Sequence, residues 1–257
     1  MTIDSTWLCA FKEELPHAFT KKRPFTPAAA FVDGQIRLMQ GMQSEPQTWD
    51  DFIFRQFARH LQRIFEVCDV VVLAFDNYEH VPTAKCMTQL KRRRNVPPIP
   101  FSAHSELPCM VPEGERWTQC ISNRTFKGRV IDLVILRLPA LLLHLKPGRR
   151  FIVDYQDPVE YRFNPETNQI QRRTLEGFPP LGEADLKFVR HASMHGSLLV
   201  DSIDGDSIPI ALMHHEAELR KGLPPPNVAV YRLELKVLRN ACSNRFQAAI
   251  DRPLFCR

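Results

Sequence analysis

The sequence predicts an α/β fold, a three-layer α/β/α sandwich around a mostly parallel central sheet. Two observations carry that prediction. Apolar, β-branched runs such as "DVVVLAF" (69–75) are of strand length and suit strands buried on both faces. Between such runs lie stretches with apolar residues at helical spacing, so strands and helices alternate along the chain. The 257 residues are 44% hydrophobic and 25% charged, which suits a large core, and we read one domain over 1–257. Twenty-one prolines against ten glycines predict rigid, irregular connections.

The elements follow in order. "AAAFVDG" (28–34) reads as a strand, and "QIRLMQGM" after it as a helix. "DDFIFRQFARHLQRIFEVC" (50–68) has apolar residues at 53, 54, 57, 58, 61, 64, 65 and 68, a helical spacing with acidic residues at its start. The strand 69–75 follows and runs into Asp76. "PTAKCMTQLKRRR" (82–94) opens on proline and then lacks breakers, so it reads as a helix. Residues 95–116 hold five prolines and read as an irregular insertion. Residues 129–145 form an apolar helix with a kink expected at Pro139, and 149–155 a further strand. Residues 156–180 are polar and read as a second insertion, of hairpin type. A helix is expected over 182–195, a strand over 196–203, a loop and strand over 224–238, and a last helix beyond.

Bulk properties narrow the function classes. The net charge of +5 is a weak pointer to a polyanionic partner. Seven scattered cysteines, odd in number and without a C-x-x-C pair, fit reduced thiols rather than a disulfide framework or a thiolate zinc site. The opening "MTIDSTWLCAFKEELPH" becomes charged at once, unlike a secretory signal. The expected location is therefore intracellular, nuclear or cytoplasmic. Asn123-Arg124-Thr125 matches a glycosylation sequon that has no role in that setting. The most apolar run, "VIDLVILRLPALLLHL", is 16 residues long and carries Asp132, Arg137 and His144, so it reads as a core helix rather than a membrane span.

The chemistry concentrates in acidic residues at strand ends. Asp33 and Asp76 each follow an apolar strand, Glu183 and Asp185 open a helix, and Asp204 and Asp206 follow the strand in "LLVDSIDGDSIPIAL". In open α/β sheets, ligands bind outside the carboxyl ends of the strands. Six carboxylates gathered there raise one another's pKa unless a counter-charge intervenes. All-oxygen donors select Mg²⁺ or Mn²⁺, and two such ions can activate water and stabilise the leaving oxygen of a phosphodiester. The alternative for each Asp is a helix cap or a loop turn.

A basic segment lies beside them. Lys85, Gln89, Arg92 and Arg93 stand at offsets 0, 4, 7 and 8, one side of a helix. Arginine forks and a lysine charge match phosphate oxygens. A solvated helix face and a nuclear-import run are the alternatives.

Taken in order, these segments resemble the 5′-nuclease superfamily with a PIN-like fold, which includes flap endonuclease/XPG enzymes and Xrn-type 5′→3′ exonucleases. "FVDG" resembles its first strand-Asp, and "VVVLAFDNYEHVPTAKCMTQLKRRR" its run of strand, Asp, Lys and Arg-Arg. "PPLGEADLKFVR" resembles its acidic helix start, and "LLVDSIDGDSIPIAL" its strand followed by Asp-x-Asp. The four motifs span 30–213 in the family's order. The resemblance implies a metal-dependent nuclease acting on single-stranded or 5′-ended RNA or DNA. Asp33, Asp76, Glu183, Asp185, Asp204 and Asp206 would hold two Mg²⁺ or Mn²⁺ ions. Lys85 and Arg92 would act on the scissile phosphate, and Lys85, Gln89, Arg92 and Arg93 would form a 5′-phosphate pocket like that of the Xrn branch.

There are departures. Asp185 stands where the family has a second Glu. The link over 156–180 is long. The later Gly-x-Asp motif is missing, because the chain ends at "AAIDRPLFCR"; the expectation is a truncated chain or a site short of one ligand. The helix-hairpin-helix of flap endonucleases is also absent. A catalytically impaired PIN-like module that binds nucleic acid or protein is the second reading, and an α/β domain with merely acidic loop ends the third. His191 and His195, spaced i,i+4 near His214 and His215, would suit zinc, but no Cys pair or HExxH accompanies them.

Overall fold

The computed structural model describes residues 19–20, 25–39, 48–77, 99–145, 148–202, 206–232 and 254–256. Their strands form one mixed sheet, labelled in chain order: β1 Phe19–Thr20, β2 Ala29–Asp33, β3 Val70–Ala74, β4 Arg150–Asp154, β5 Pro158–Asn164, β6 Gln169–Thr174, β7 Ser197–Asp201, β8 Asn227–Arg232 and β9 Leu254–Cys256. The spatial order is β1-β9-β8-β7-β2-β3-β4-β5-β6. The five central strands, β8-β7-β2-β3-β4, are all parallel. Antiparallel pairs extend the sheet at both edges.

β2, β3, β4, β7 and β8 form where the sequence expected strands, and β2 and β3 are buried at every position as expected; β1 and β9 were not expected. Alternate residues feed two cores. Ala30, Val32, Val71, Leu73, Phe151 and Val153 face one side, and Ala29, Phe31, Val70, Val72 and Ile152 the other. The first face is covered by α1 (Gly34–Met39), α2 (Trp49–Ile53), α3 (Arg59–Ile64), α4 (Gly114–Ser122) and α5 (Arg124–Leu145). The second is covered by α6 (Ala184–His195) and α7 (Ser207–Arg220). The molecule is thus an α/β sandwich with helices on both faces of a sheet whose centre is parallel.

Several details differ from the sequence reading. The hairpin expected within 156–180 forms as β5 and β6, and what differs is that it continues the sheet from β4 rather than standing apart as an insertion. Buried Glu160 holds this edge by pairing with Arg150, Arg162 and Arg173. The loop expected up to residue 116 ends earlier, at α4. The helix expected from 129 begins at Arg124, because Asn123 Oδ1 accepts hydrogen bonds from the Thr125 and Phe126 N–H groups at 2.9 and 3.1 Å. Asn123 is a helix cap. α5 is continuous through Pro139 and buries Val130, Ile131, Val134, Leu138, Leu142 and Leu143. No described helix is long and apolar enough to cross a membrane. The helix expected over 82–94 and the one expected after 238 lie outside the described residues.

α2 and α3 form one rod interrupted by a π-helical segment, Phe54–Ala58, in which the Arg59 N–H reaches back to the Phe54 carbonyl. Where β2 meets α1, the chain passes so close to β3 that a Cβ on Gly34 would lie 2.5 Å from Phe75 Cε1 and 2.8 Å from the Ala74 carbonyl oxygen. Gly34→Ala is therefore expected to cost about 3 kcal/mol through overpacking, read as a lowered urea midpoint. An unchanged midpoint would mean that the strand end shifts without penalty.

Candidate functional site

The carboxyl ends of the parallel strands lie along one edge, and four adjacent strands each deliver an aspartate there. Asp201 ends β7, Asp33 ends β2, Asp76 follows β3 by two residues, and Asp154 ends β4. All four are buried. The surrounding residues divide them into two kinds.

Asp154 and Asp201 are neutralised. Asp154 accepts from Arg190 Nε at 3.0 Å, contacts Arg190 Nη2, and shares a 2.8 Å hydrogen bond with His191 Nε2. Lys187 Nζ lies 3.3 Å from Asp154 Oδ1. Burial alone would raise the Asp154 pKa, but the His191 and Arg190 hydrogen bonds and the Lys187 charge hold it well below the usual carboxylate range. Lys187 is fully buried and donates to the carbonyls of Phe75, Asp154 and Tyr155 at 2.8, 3.1 and 2.6 Å. Asp201 bonds to Arg37 Nη2 at 3.0 Å and to His60 Nε2. These partners outweigh the opposing effect of burial, and its pKa is lowered.

Among the described residues, no such cation pairs with Asp33. Its Oδ1 accepts from the Gln35 and Ile36 N–H groups at 2.9 and 3.2 Å, so it caps the first turn of α1. Its pKa is pushed up to about 7, first by burial and next by the Asp76 carboxylate; Asp185 adds to this, and the two backbone hydrogen bonds oppose it. Asp76 Oδ1 accepts from the Ala184 N–H at 2.9 Å. Asp76 thus caps α6 from another strand and meets the positive end of that helix. The adjacent Asn77 N–H donates to the Gly182 carbonyl at 2.7 Å. Together with Lys187, these contacts clamp the start of α6 to the ends of β3 and β4. They place Glu183 at the N-cap position and Asp185 in the first turn.

The predicted residues therefore fall into three groups. Asp76 and Asp185 both act electrostatically on Asp33, and Glu183 precedes the helix that carries Asp185. Asp206 stands exposed at the N-cap position of α7. Asp204, Lys85, Gln89, Arg92 and Arg93 lie outside the described residues. Among the described residues, no three His, Cys, Asp or Glu side chains are gathered so as to hold a metal ion. The zinc spacing has another use: His191 is bonded to Asp154, stacks on Phe178, and lies parallel to His195 at 6.3 Å between ring centroids.

Sequence reasoning missed Asp154, Asp201, Arg37, His60 and Lys187. Asp154 and Asp201 carry the same strand-end signal as Asp33 and could have been found by it. Lys187, buried in the middle of a helix, carried no such signal.

Asp33, Asp76 and Asp185 offer the oxygen-donor chemistry that a hard divalent cation takes, although among the described residues no three such side chains are gathered closely enough to hold one. They lie at a sheet edge, and Asp33 has a raised pKa, first because it is buried and next because of the Asp76 carboxylate, with a smaller contribution from Asp185. The edge also holds the topological switch point. From β2 the chain first adds β3 and β4 on one side and later β7 and β8 on the other, so the strand order reverses between β2 and β7, the position at which such sheets bind ligands. No protein-family model matches this chain, and no curated protein matches it.

Proposed function

We propose that this protein is a Mg²⁺- or Mn²⁺-dependent phosphodiester hydrolase of the PIN-like 5′-nuclease type, acting on RNA or DNA at or near a 5′ end. The single observation that supports this best is that buried Asp33 meets the carboxylates of Asp76 and Asp185 and, among the described residues, no cation. Of the four strand-end aspartates, Asp154 and Asp201 have basic partners, whereas Asp33 faces Asp76 and Asp185. A fold that neutralises two buried acids and leaves a third against like charges has placed an unfavourable arrangement where a ligand would relieve it.

In this reading Asp33, Asp76 and Asp185, with Glu183, Asp204 and Asp206, would hold the ions. Bound there, Mg²⁺ or Mn²⁺ would supply activation of water and stabilisation of charge on the phosphate. The chain's own residues orient the donors. The Gln35 and Ile36 N–H groups fix one oxygen of Asp33, and the Ala184 N–H fixes one oxygen of Asp76. Lys187 secures the helix that carries Asp185. Lys85 and Arg92 would meet the scissile phosphate, with Gln89 and Arg93 completing a 5′-phosphate pocket. The whole six-carboxylate set with both ions is the arrangement that the resemblance implies.

The test is cleavage of a 5′-phosphorylated, 3′-labelled single strand, as RNA and as DNA, with Mn²⁺ and with EDTA, beside Asp204→Ala. Metal-dependent cleavage, reduced at least about 100-fold by the substitution, is the expected result. Binding without cleavage by the folded, metal-loaded protein would replace the enzyme with a nucleic-acid-binding module.

A further inference from the structure

Asp201 and its two partners form a second cluster at this sheet edge, separate from the acidic one. Asp201 ends β7 in register with Val32, the residue before Asp33, so the cluster borders Asp33 across the switch point. Three elements build it: Asp201 from β7, Arg37 from α1 and His60 from α3. Arg37 Nη2 lies 3.0 Å from Asp201 Oδ2 and 2.6 Å from His60 Nε2, and His60 Nε2 contacts the same carboxylate oxygen.

The carboxylate is covered and its partners are not. Asp201's side chain is 6% exposed, whereas those of Arg37 and His60 are 21% and 24% exposed. A guanidinium carries five N–H donors in a planar fork. Among the described residues only Nη2 of Arg37 is engaged, which leaves Nε and Nη1 with donors to offer. His60 likewise uses only Nε2. One buried anion therefore anchors two basic side chains by one nitrogen each, and both side chains stay partly exposed at the sheet edge. A guanidinium held in this way loses little side-chain entropy on accepting an oxyanion, and its fork matches phosphate geometry.

We propose that Arg37 and His60, positioned by Asp201, form a phosphate-binding subsite that takes a backbone phosphate of a nucleic-acid strand beside the one at Asp33. The identity of the ligand rests on the nuclease reading; the anion site rests on the cluster itself. Arg37 and His60 contact the ligand, and Asp201 is a positioning residue. The subsite lies on the β7 side of Asp33, opposite the acidic group that involves Asp76 and Asp185.

The experiment is fluorescence anisotropy of a 3′-labelled, 5′-phosphorylated single-stranded oligonucleotide with the whole chain in EDTA, where no metal-dependent cleavage occurs. Salt is titrated for the unmodified protein, Arg37→Gln, Arg37→Lys and His60→Gln. The expected result is about tenfold weaker binding for Arg37→Gln, with the slope of log K against log salt reduced by about 0.7, the value for one phosphate contact on a single strand. Arg37→Lys should fall between, keeping the charge and losing the fork.

Unchanged affinity and slope in folded Arg37→Gln overturns the subsite, as does an oligonucleotide that the unmodified protein does not bind. If Arg37→Gln fails to fold, the Nε–Hε resonance of Arg37 in the unmodified protein decides, since it must shift on adding the oligonucleotide. Arg37-dependent binding without Mn²⁺-dependent cleavage would sink the nuclease reading and leave the subsite standing. Cleavage with binding indifferent to Arg37 would do the reverse.

Discussion

Asp154→Asn is expected to lower the unfolding free energy by about 3–5 kcal/mol, the cost of removing one partner from a buried ionic group. Lys187 and His191 are fully buried and Arg190 is nearly so, and all three converge on this carboxylate. Asparagine keeps one acceptor but no charge, so Lys187 and Arg190 would remain in the interior without their counter-ion. Typical domains hold only about 5–15 kcal/mol, so the variant would be marginal. Urea unfolding at pH 7 measures it. The exposed pair Arg137–Asp50 provides the comparison, because Arg137→Gln should hardly move the midpoint. A midpoint for Asp154→Asn close to that of Arg137→Gln would refute the anchoring role. The pH profile gives a second check. The Asp154 pKa is lowered in the folded protein, so its stabilisation is complete above about pH 4, the unfolded value, and is lost as the pH falls below that. Asp154→Asn should remove this part of the acid limb.

Asp33→Asn should have the opposite effect on stability while abolishing cleavage. The folded-state pKa of Asp33 is raised to about 7. Its contribution is therefore least unfavourable below about pH 4, worsens as the pH rises toward 7, and is fully unfavourable above that. Asparagine retains an oxygen for the Gln35 and Ile36 N–H groups and removes the charge. In EDTA at pH 8 the variant should be more stable than the parent by about 1–3 kcal/mol, and the gain should vanish near pH 4. Mn²⁺ should raise the melting temperature of the parent and not that of the variant. A variant less stable than the parent at pH 8 would show that the Asp33 charge is compensated, and the argument for a cation there would fail.

Much of this architecture was legible because it depends on local pattern. β2, β3, β4 and β7 announce themselves as apolar runs, and α6 as a helix opening on acidic residues and ending at Gly196, which adopts φ 72°. α4 and α7 were not legible. α4 follows a proline-rich loop, and α7 begins one residue after Asp206 with Pro209 in its first turn. The site was legible as a set of strand-end acids but not as a sorted set. Asp33 and Asp201 look alike in sequence, each closing an apolar strand. What separates them is Arg37, 164 positions away from Asp201, together with His60 from α3. Local pattern identifies a carboxylate, and long-range packing decides whether a cation accompanies it. Lys85, Gln89, Arg92 and Arg93, with Asp204, lie outside the described residues, so the phosphate pocket rests on the sequence resemblance.

The π-helical segment between α2 and α3 bears on how this chain tolerates length changes. A π turn holds one residue more than the α-helical span it replaces, and each residue advances a helix by about 100°. Phe57 and Ala58 within it, and Leu61 and Ile64 after it, all face the core, while His60 is turned to Asp201. The surplus residue is thus absorbed within one turn, and His60, Leu61 and Ile64 keep the angular phase that a continuous helix one residue shorter would give them. Deleting one residue between Phe54 and Ala58 should let the rod close into a continuous α-helix with its length and phase nearly unchanged, and His60 should stay on Asp201. A single-residue deletion elsewhere along the rod would instead turn the downstream face by about 100° away from the core, so this turn is the place where the rod tolerates a change of length.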